Sequence, residues 1–174
     1  MIILGVDPGI TKIGVSVVDW NTRELLYYKL HEGSTQGETV NDKSINSLVK
    51  LDGEFQELLD HYKVERVVVE LVPSFGQMSQ QSRILVVQNL LRVISFYRKL
   101  EYIEIAPLSV KKRFTGNGKA SKKDIKAEVL RRYPQLETEK LEFDVYDAIA
   151  ITLLGGEMEV EKIWKFGQEK VDVV

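Results

Sequence analysis

The chain has 174 residues, 44% of them hydrophobic and 29% charged, with a formal net charge of −2, which predicts one domain with a core of its own and excludes a disordered chain. It contains no cysteine and only two histidines, His31 and His61, which excludes a disulfide framework, thiol chemistry and a cysteine-built zinc site, and argues against a histidine-rich metal centre. No apolar run approaches the roughly 20 residues of a membrane-spanning helix, and Met1 to Asp7 carries no basic leader, so the expected compartment is the cytoplasm and nucleoid, or the host cytoplasm for a phage or viral chain, with no membrane partner.

Residues 2–6 form a short apolar run with the character of a buried strand. Asp7-Pro8-Gly9 is a turn signal, after which 13–18 and 24–31 read as a second and a third strand of an antiparallel meander. Residues 33–44 are polar and loop-like, and Ile45, Leu48, Val49, Phe55, Leu58 and Leu59 mark a helix ending near Tyr62. A β-branched strand over 66–71 carries Glu70 near its end. A long helix over 78–99 follows, with Ile84, Val87, Leu90, Leu91 and Ile94 at helical spacing, and then a fifth strand over 102–106. Residues 107–121 hold a short helical piece and a flexible loop over 114–121. Ser121 and Asp124 resemble an N-cap with an acidic first turn, opening a helix to about Arg132 before Pro134. A last helix spans about 143–154, with Gly155-Gly156 as its stop and a charged tail over 157–174. This order predicts an α/β domain over 1–156, a mixed sheet flanked by helices.

The modest net charge hides an uneven distribution. Between Lys111 and Arg132 nine Lys and Arg face only Asp124 and Glu128, a local charge of +7 that leaves −9 on the rest of the chain. Such a local source steers polyanions even on an acidic protein. Within it, Lys111, Lys112 and Arg113 precede Gly116-Asn117-Gly118-Lys119, and Lys122 and Lys123 follow. Glycines let a backbone approach phosphates and lysines neutralise them; a solvated helix face is the plainer reading of Lys122, Lys123 and Lys126.

Four acids occupy suggestive places. Asp7 and Glu70 stand at strand exits, and Asp144 and Asp147 are three apart at the start of the last helix, hence on one face with Cβ atoms about 5–6 Å apart. Two strand ends and a helix N-terminus can converge at one sheet edge. Clustered carboxylates repel unless a cation sits among them, and a pair of Mg²⁺ ions is the natural partner. Two such ions about 3.5–4 Å apart can activate water and stabilise a leaving oxygen in phosphodiester hydrolysis. Singly, each acid has a plainer reading: a hairpin turn, a solvated strand end, a favourable helix start.

Together, Leu4-Gly-Val-Asp7-Pro-Gly-Ile-Thr-Lys-Ile-Gly-Val-Ser, Val68-Val-Glu70, Ala106-Pro-Leu-Ser-Val-Lys111-Lys, Thr115-Gly-Asn-Gly-Lys-Ala-Ser-Lys122 and Phe143-Asp144-Val-Tyr-Asp147-Ala-Ile-Ala resemble the RuvC-type Holliday-junction resolvases over residues 2–154. The resemblance implies an RNase H-like fold, a five-stranded mixed sheet with helices on both faces. It implies a homodimer that nicks two opposed strands of a four-way or branched DNA junction with Mg²⁺ or Mn²⁺, two ions per site, leaving 5′-phosphate and 3′-hydroxyl ends. A branch-migration helicase would be a further partner. Asp7, Glu70, Asp144 and Asp147 match the family's metal-binding acids, and Lys111 and Lys122 its basic residues near the scissile phosphate. The family often places a wedge aromatic shortly after the strand glutamate; here Phe75 is the candidate, with burial under the next helix as its other reading. The family's additional histidine or acid near the last motif has only Glu142 as its counterpart.

The alternatives are a broader branched-DNA or pre-ribosomal RNA nuclease on the same fold, a non-catalytic junction-binding module, and an actin-like ATPase. The last needs two such domains and more chain. For the dimer, Leu85, Val86, Val93 and Phe96 on the long helix exceed a one-sided stripe and predict an interface on its outer face, with burial inside the fold as the alternative.

Overall fold

A computed structural model describes residues 1–9, 12–71 and 78–158. Phe75 and the tail aromatics Trp164 and Phe166 lie outside them. The strands are β1 Ile2–Asp7, β2 Lys12–Asp19, β3 Glu24–Glu32, β4 Arg66–Glu70 and β5 Glu101–Ile105. The helices are α1 Val40–Tyr62, α2 Met78–Arg98, α3 Pro107–Thr115, α4 Lys122–Arg132 and α5 Phe143–Gly156, with a 3-10 turn at Pro134–Thr138 between the last two.

The strands form one sheet in the order β3-β2-β1-β4-β5. The hairpin-linked β1, β2 and β3 are antiparallel, whereas β1, β4 and β5 run parallel. This is the expected five-stranded mixed sheet, and helices cover both faces. Strand parity decides which residue meets which layer, because successive side chains point to opposite faces. Leu4, Val6, Val15, Val17, Val67 and Val69 pack with Leu51 and Phe55 of α1 and Val87, Leu91 and Ile94 of α2. Ile3, Val18, Val68 and Ile103 pack with Val110, Ile125, Val145, Tyr146 and Ile149 of α3, α4 and α5. Asp7 has the parity of Ile3, and Glu70 that of Val68. Both acids therefore belong to the face that carries α5.

Helix α5 lies directly on β1 and β2. Ser16 Oγ and Thr152 Oγ1 are 2.5 Å apart in the interior, and Arg66, 3% exposed, ties down the far end by donating from Nη1 to the Gly155 carbonyl at 2.6 Å while its Nε donates to Glu101 at 2.8 Å.

Three boundaries differ from expectation. Helix α1 begins at Val40, inside the stretch expected to be loop, because Thr39 and Asp42 form a capping box. Its hydrogen bonds are Thr39 N to Asp42 Oδ2 at 2.9 Å and Asp42 N to Thr39 Oγ1 at 3.1 Å. Helix α5 runs through Gly155 and Gly156 rather than stopping before them. A Cβ on Gly155 would overlap the Val68 side chain, so this glycine serves contact with β4. Phe114 and Thr115 belong to α3, and Phe114 is buried.

Candidate active site

Strands β1 and β4 are parallel neighbours paired through Val6 and Val69, so their last residues, Asp7 and Glu70, emerge side by side at one edge of the sheet. The N-terminus of α5 crosses the same edge and adds Asp144 and Asp147 from one face. Carboxylate oxygens of Asp7, Asp144 and Asp147 lie within 4.8 Å of one another. Glu70 stands outside that trio and shares a hydrogen bond with Asp7.

The electrostatics reflect this crowding. Burial first, then the charges of Glu70, Asp147 and Asp144, push the Asp7 carboxyl up to about 8 against the pull of Lys122. Burial and Asp147 raise Glu70 to about 7, although Lys122, Lys111 and the bond to Asp7 oppose them. Burial likewise raises Asp147, with Lys122 acting the other way. Lys122 is the compensating cation: its Nζ donates to Asp144 Oδ1 at 2.6 Å and lies 3.2 Å from Asp147 Oδ2. Burial pulls its ammonium down, but the bonds and charges of Asp144 and Asp147 outweigh that and hold it above the usual lysine range.

These donors suit a hard divalent cation. They are carboxylate oxygens only, they converge, and their mutual repulsion calls for positive charge in the middle. Asp7, Asp144 and Asp147 could hold an ion between them, with Glu70 beside Asp7 as a further oxygen donor.

Lys111, on α3, is half-buried and near enough for its charge to lower both Glu70 and Asp147. The loop after α3 is held by its own hydrogen bonds. Thr115 Oγ1 donates to the Lys111 carbonyl at 2.8 Å and accepts from Asn117 N at 3.2 Å, and Asn117 Oδ1 accepts from Lys119 N at 2.9 Å. Gly116 takes the left-handed conformation, φ 79°, that ends α3, and Gly118 lies at the loop's centre. Lys112, Lys119 and Lys123 are exposed and make no ion pair among the described residues. Other charges of this segment are engaged: Arg113 faces Glu157 at 3.8 Å, and Arg131 and Arg132 share Glu128. Lys126 Nζ stands 5.0 Å from the Tyr146 ring centre.

Other features at the rim escaped the sequence reading. Lys12 Nζ and Glu142 Oε1 are 3.5 Å apart, bringing the start of β2 to the residue before α5, so Glu142 pairs with a lysine and is not in the carboxylate trio. Phe143, next to Asp144, is 39% exposed. A large aromatic opening a buried helix was the available signal for it. His31 is elsewhere, buried under α1 between Glu54 Oε2 at 2.6 Å and Tyr27 Oη at 2.7 Å.

The family model described as crossover junction endodeoxyribonuclease RuvC matches residues 3–154. The crossover junction endodeoxyribonuclease RuvC of Helicobacter acinonychis (strain Sheeba) is 30% identical over 156 residues, covering 88% of this chain and 95% of that protein. Among solved structures, Thermus thermophilus RuvC superposes with a TM-score of 0.72 at 24% identity, over 88% of this chain and 92% of that one. The same bacterium's RuvC in complex with a Holliday junction substrate gives a TM-score of 0.72 at 23% identity, over 88% and 90% of the two chains. At these identities the structural matches show a common fold.

Proposed function

The chain belongs to the family of crossover junction endodeoxyribonucleases, RuvC, and from that premise we propose that it resolves four-way DNA junctions by metal-dependent phosphodiester hydrolysis within a nuclease domain spanning 1–156. The observation that carries this reading is the meeting of Asp7, Asp144 and Asp147, from two distant parts of the chain, with ligand oxygens within 4.8 Å.

The acids Asp7, Asp144 and Asp147, with Glu70 beside Asp7, would hold Mg²⁺ or Mn²⁺, two ions per site. When bound, such ions polarise a phosphoryl oxygen and acidify water. In hydrolysis the water oxygen bonds to phosphorus, the bond from phosphorus to O3′ breaks, and the departing O3′ takes up a proton. The products are a 5′-phosphate and a 3′-hydroxyl. Lys122 and Lys111 stand beside the carboxylates, where they meet the phosphate and offset charge that builds on it. Lys112, Lys119 and Lys123 extend the positive surface along the pinned loop, with the Gly116-Asn117-Gly118 backbone open to a DNA strand and Arg113 at its margin.

Symmetric cuts on opposed strands need two sites at a fixed separation, for which a two-fold dimer is the commonest arrangement. Leu85, Val86, Val93 and Phe96 are exposed on α2, and this face supports the dimer reading, since contiguous apolar surface marks association sites.

The test is a synthetic four-way junction, a linear duplex and a structured RNA incubated in parallel with Mg²⁺ or with a chelator. Paired nicks at symmetric positions, on the junction alone and only with Mg²⁺, are the expected result. Equal cutting of forks and flaps would make it a general branched-DNA nuclease, cutting of RNA a ribonuclease, and binding of the junction without cutting a non-catalytic module.

A further inference from the structure

The ammonium of Lys122 engages two of the three carboxylates that a metal ion would use. It bonds to Asp144 at 2.6 Å and faces Asp147 at 3.2 Å, and these are two of the three acids whose oxygens converge. A small divalent cation binds carboxylate oxygens at about 2.0–2.1 Å. An ammonium on the same oxygens would lie within a few ångströms of it, where two unscreened positive charges repel strongly. The two therefore compete for the Asp144 and Asp147 carboxylates.

The local structure leaves Lys122 free to leave. Its backbone is fixed as the first residue of α4 by the capping box in which Ser121 N donates to Asp124 Oδ2 at 2.7 Å and Asp124 N donates to Ser121 Oγ at 3.3 Å. Its side chain is 53% exposed on a four-carbon stem. The anchor is rigid and the charged end is movable, so the ammonium can swing from the carboxylates to the open side of the site without any change in the sheet or in α5. Lys111 differs: its charge acts on Glu70 and Asp147, but it has no ion pair with a carboxylate among the described residues.

We propose that Lys122 is a resident counter-ion of the carboxylate cluster, displaced when divalent cations load and then turned outward onto the DNA phosphate. The proposal rests on the carboxylates being the metal site. Its consequence is a pair of effects of opposite sign: loss of Lys122 strengthens metal binding, because nothing competes for Asp144 and Asp147, and weakens turnover, because the phosphate loses its lysine. By linkage, DNA that draws Lys122 outward tightens metal binding, and metal tightens DNA binding by the same factor.

The experiment titrates Mn²⁺ into the metal-stripped full chain and reads free Mn²⁺ by electron paramagnetic resonance, comparing wild type with Lys122→Met, Lys111→Met and Asp147→Asn. Lys122→Met should bind Mn²⁺ about 5- to 10-fold more tightly, within the usual span of coupled-site effects, and Lys111→Met should change affinity no more than about 3-fold. In parallel, the ¹⁵N–¹H signal of the Lys122 ammonium should be protected in the metal-free protein and disappear at saturating Mg²⁺. Unchanged or weaker Mn²⁺ binding by Lys122→Met, an equal gain in Lys111→Met, or a Lys122 signal that persists at saturating Mg²⁺ would each overturn the displacement while leaving the metal site intact. Asp147→Asn binding Mn²⁺ as well as wild type would instead remove the metal site itself, and the displacement with it.

Discussion

Gly14 lies against the main chain of Asp144 so closely that a Cβ at position 14 would overlap the Asp144 carbonyl oxygen. Gly14 is also the β2 partner of Asp7. The start of α5 can therefore sit on the strand pair that presents Asp7, and this close seat brings Asp144 and Asp147 within reach of it. The obstruction is backbone, which no side-chain rotation relieves.

Gly14→Ala should accordingly lift the start of α5, cost about 1–3 kcal/mol of stability as an overpacked position, and reduce cleavage at least about 100-fold. Junction binding without metal should stay within a few-fold of wild type. Single-turnover kinetics and gel shifts check both. A folded variant with wild-type cleavage would mean that the close contact does not set the acid geometry.

Asp7→Asn and Asp147→Asn should each abolish cleavage, by about 100- to 1,000-fold or more, while junction binding persists, since neither change touches Lys111, Lys122 or the basic loop that would meet phosphate. Cleavage at the wild-type rate by either variant rules out the assigned roles.

The raised acids make stability depend on pH in a defined direction. Burial and the neighbouring carboxylates raise Asp7 from 3.8 in the unfolded chain to about 8, and burial with Asp147 raises Glu70 from 4.5 to about 7. Between those values the native protein binds more protons than the unfolded chain, so stability falls as pH rises. The metal-free melting temperature should fall from pH 5 to pH 8.5. Mg²⁺ should reverse the fall by binding the ionised carboxylates, increasingly so toward the alkaline end, and Asp7→Asn should flatten the profile. A melting temperature that rises over this range without metal contradicts the crowding of the cluster.

If α2 forms the proposed dimer interface, Val93→Arg or Leu85→Arg should yield a monomer by placing an unpaired charge at the centre of an apolar face. Light scattering at micromolar concentration checks it. The monomer should still bind a junction but lose the coordination of the two cuts. If wild type is itself a monomer, the α2 interface fails.

Much of this was legible in the sequence because it depends on local pattern. The apolar runs over 2–6 and 67–69 put Asp7 and Glu70 at strand exits, and a three-residue step on a helix brings Asp144 and Asp147 together; that Asp7 and Glu70 share a face needed the register of β1 against β4. What was not legible depends on contacts between distant segments. The Thr39 cap sits in a polar tract with no apolar periodicity to announce a helix. Gly155 reads as a stop until Val68 is seen against it. The bond from Lys122 to Asp144 exists because α4 is laid beside α5, which no spacing within either helix encodes, so Lys122 read equally well as a solvated face. Phe75 lies outside the described residues, and among the described residues Phe143, beside Asp144, is an exposed aromatic.

The most direct test of the central claim is a crystal of the wild-type protein soaked in Mn²⁺ and measured at the manganese absorption edge. The account predicts anomalous peaks about 2.0–2.3 Å from carboxylate oxygens of Asp7, Asp144 and Asp147, with the Lys122 ammonium moved off them. Fully soaked crystals with no anomalous peak among these side chains, or with manganese bound only elsewhere on the surface, would contradict it.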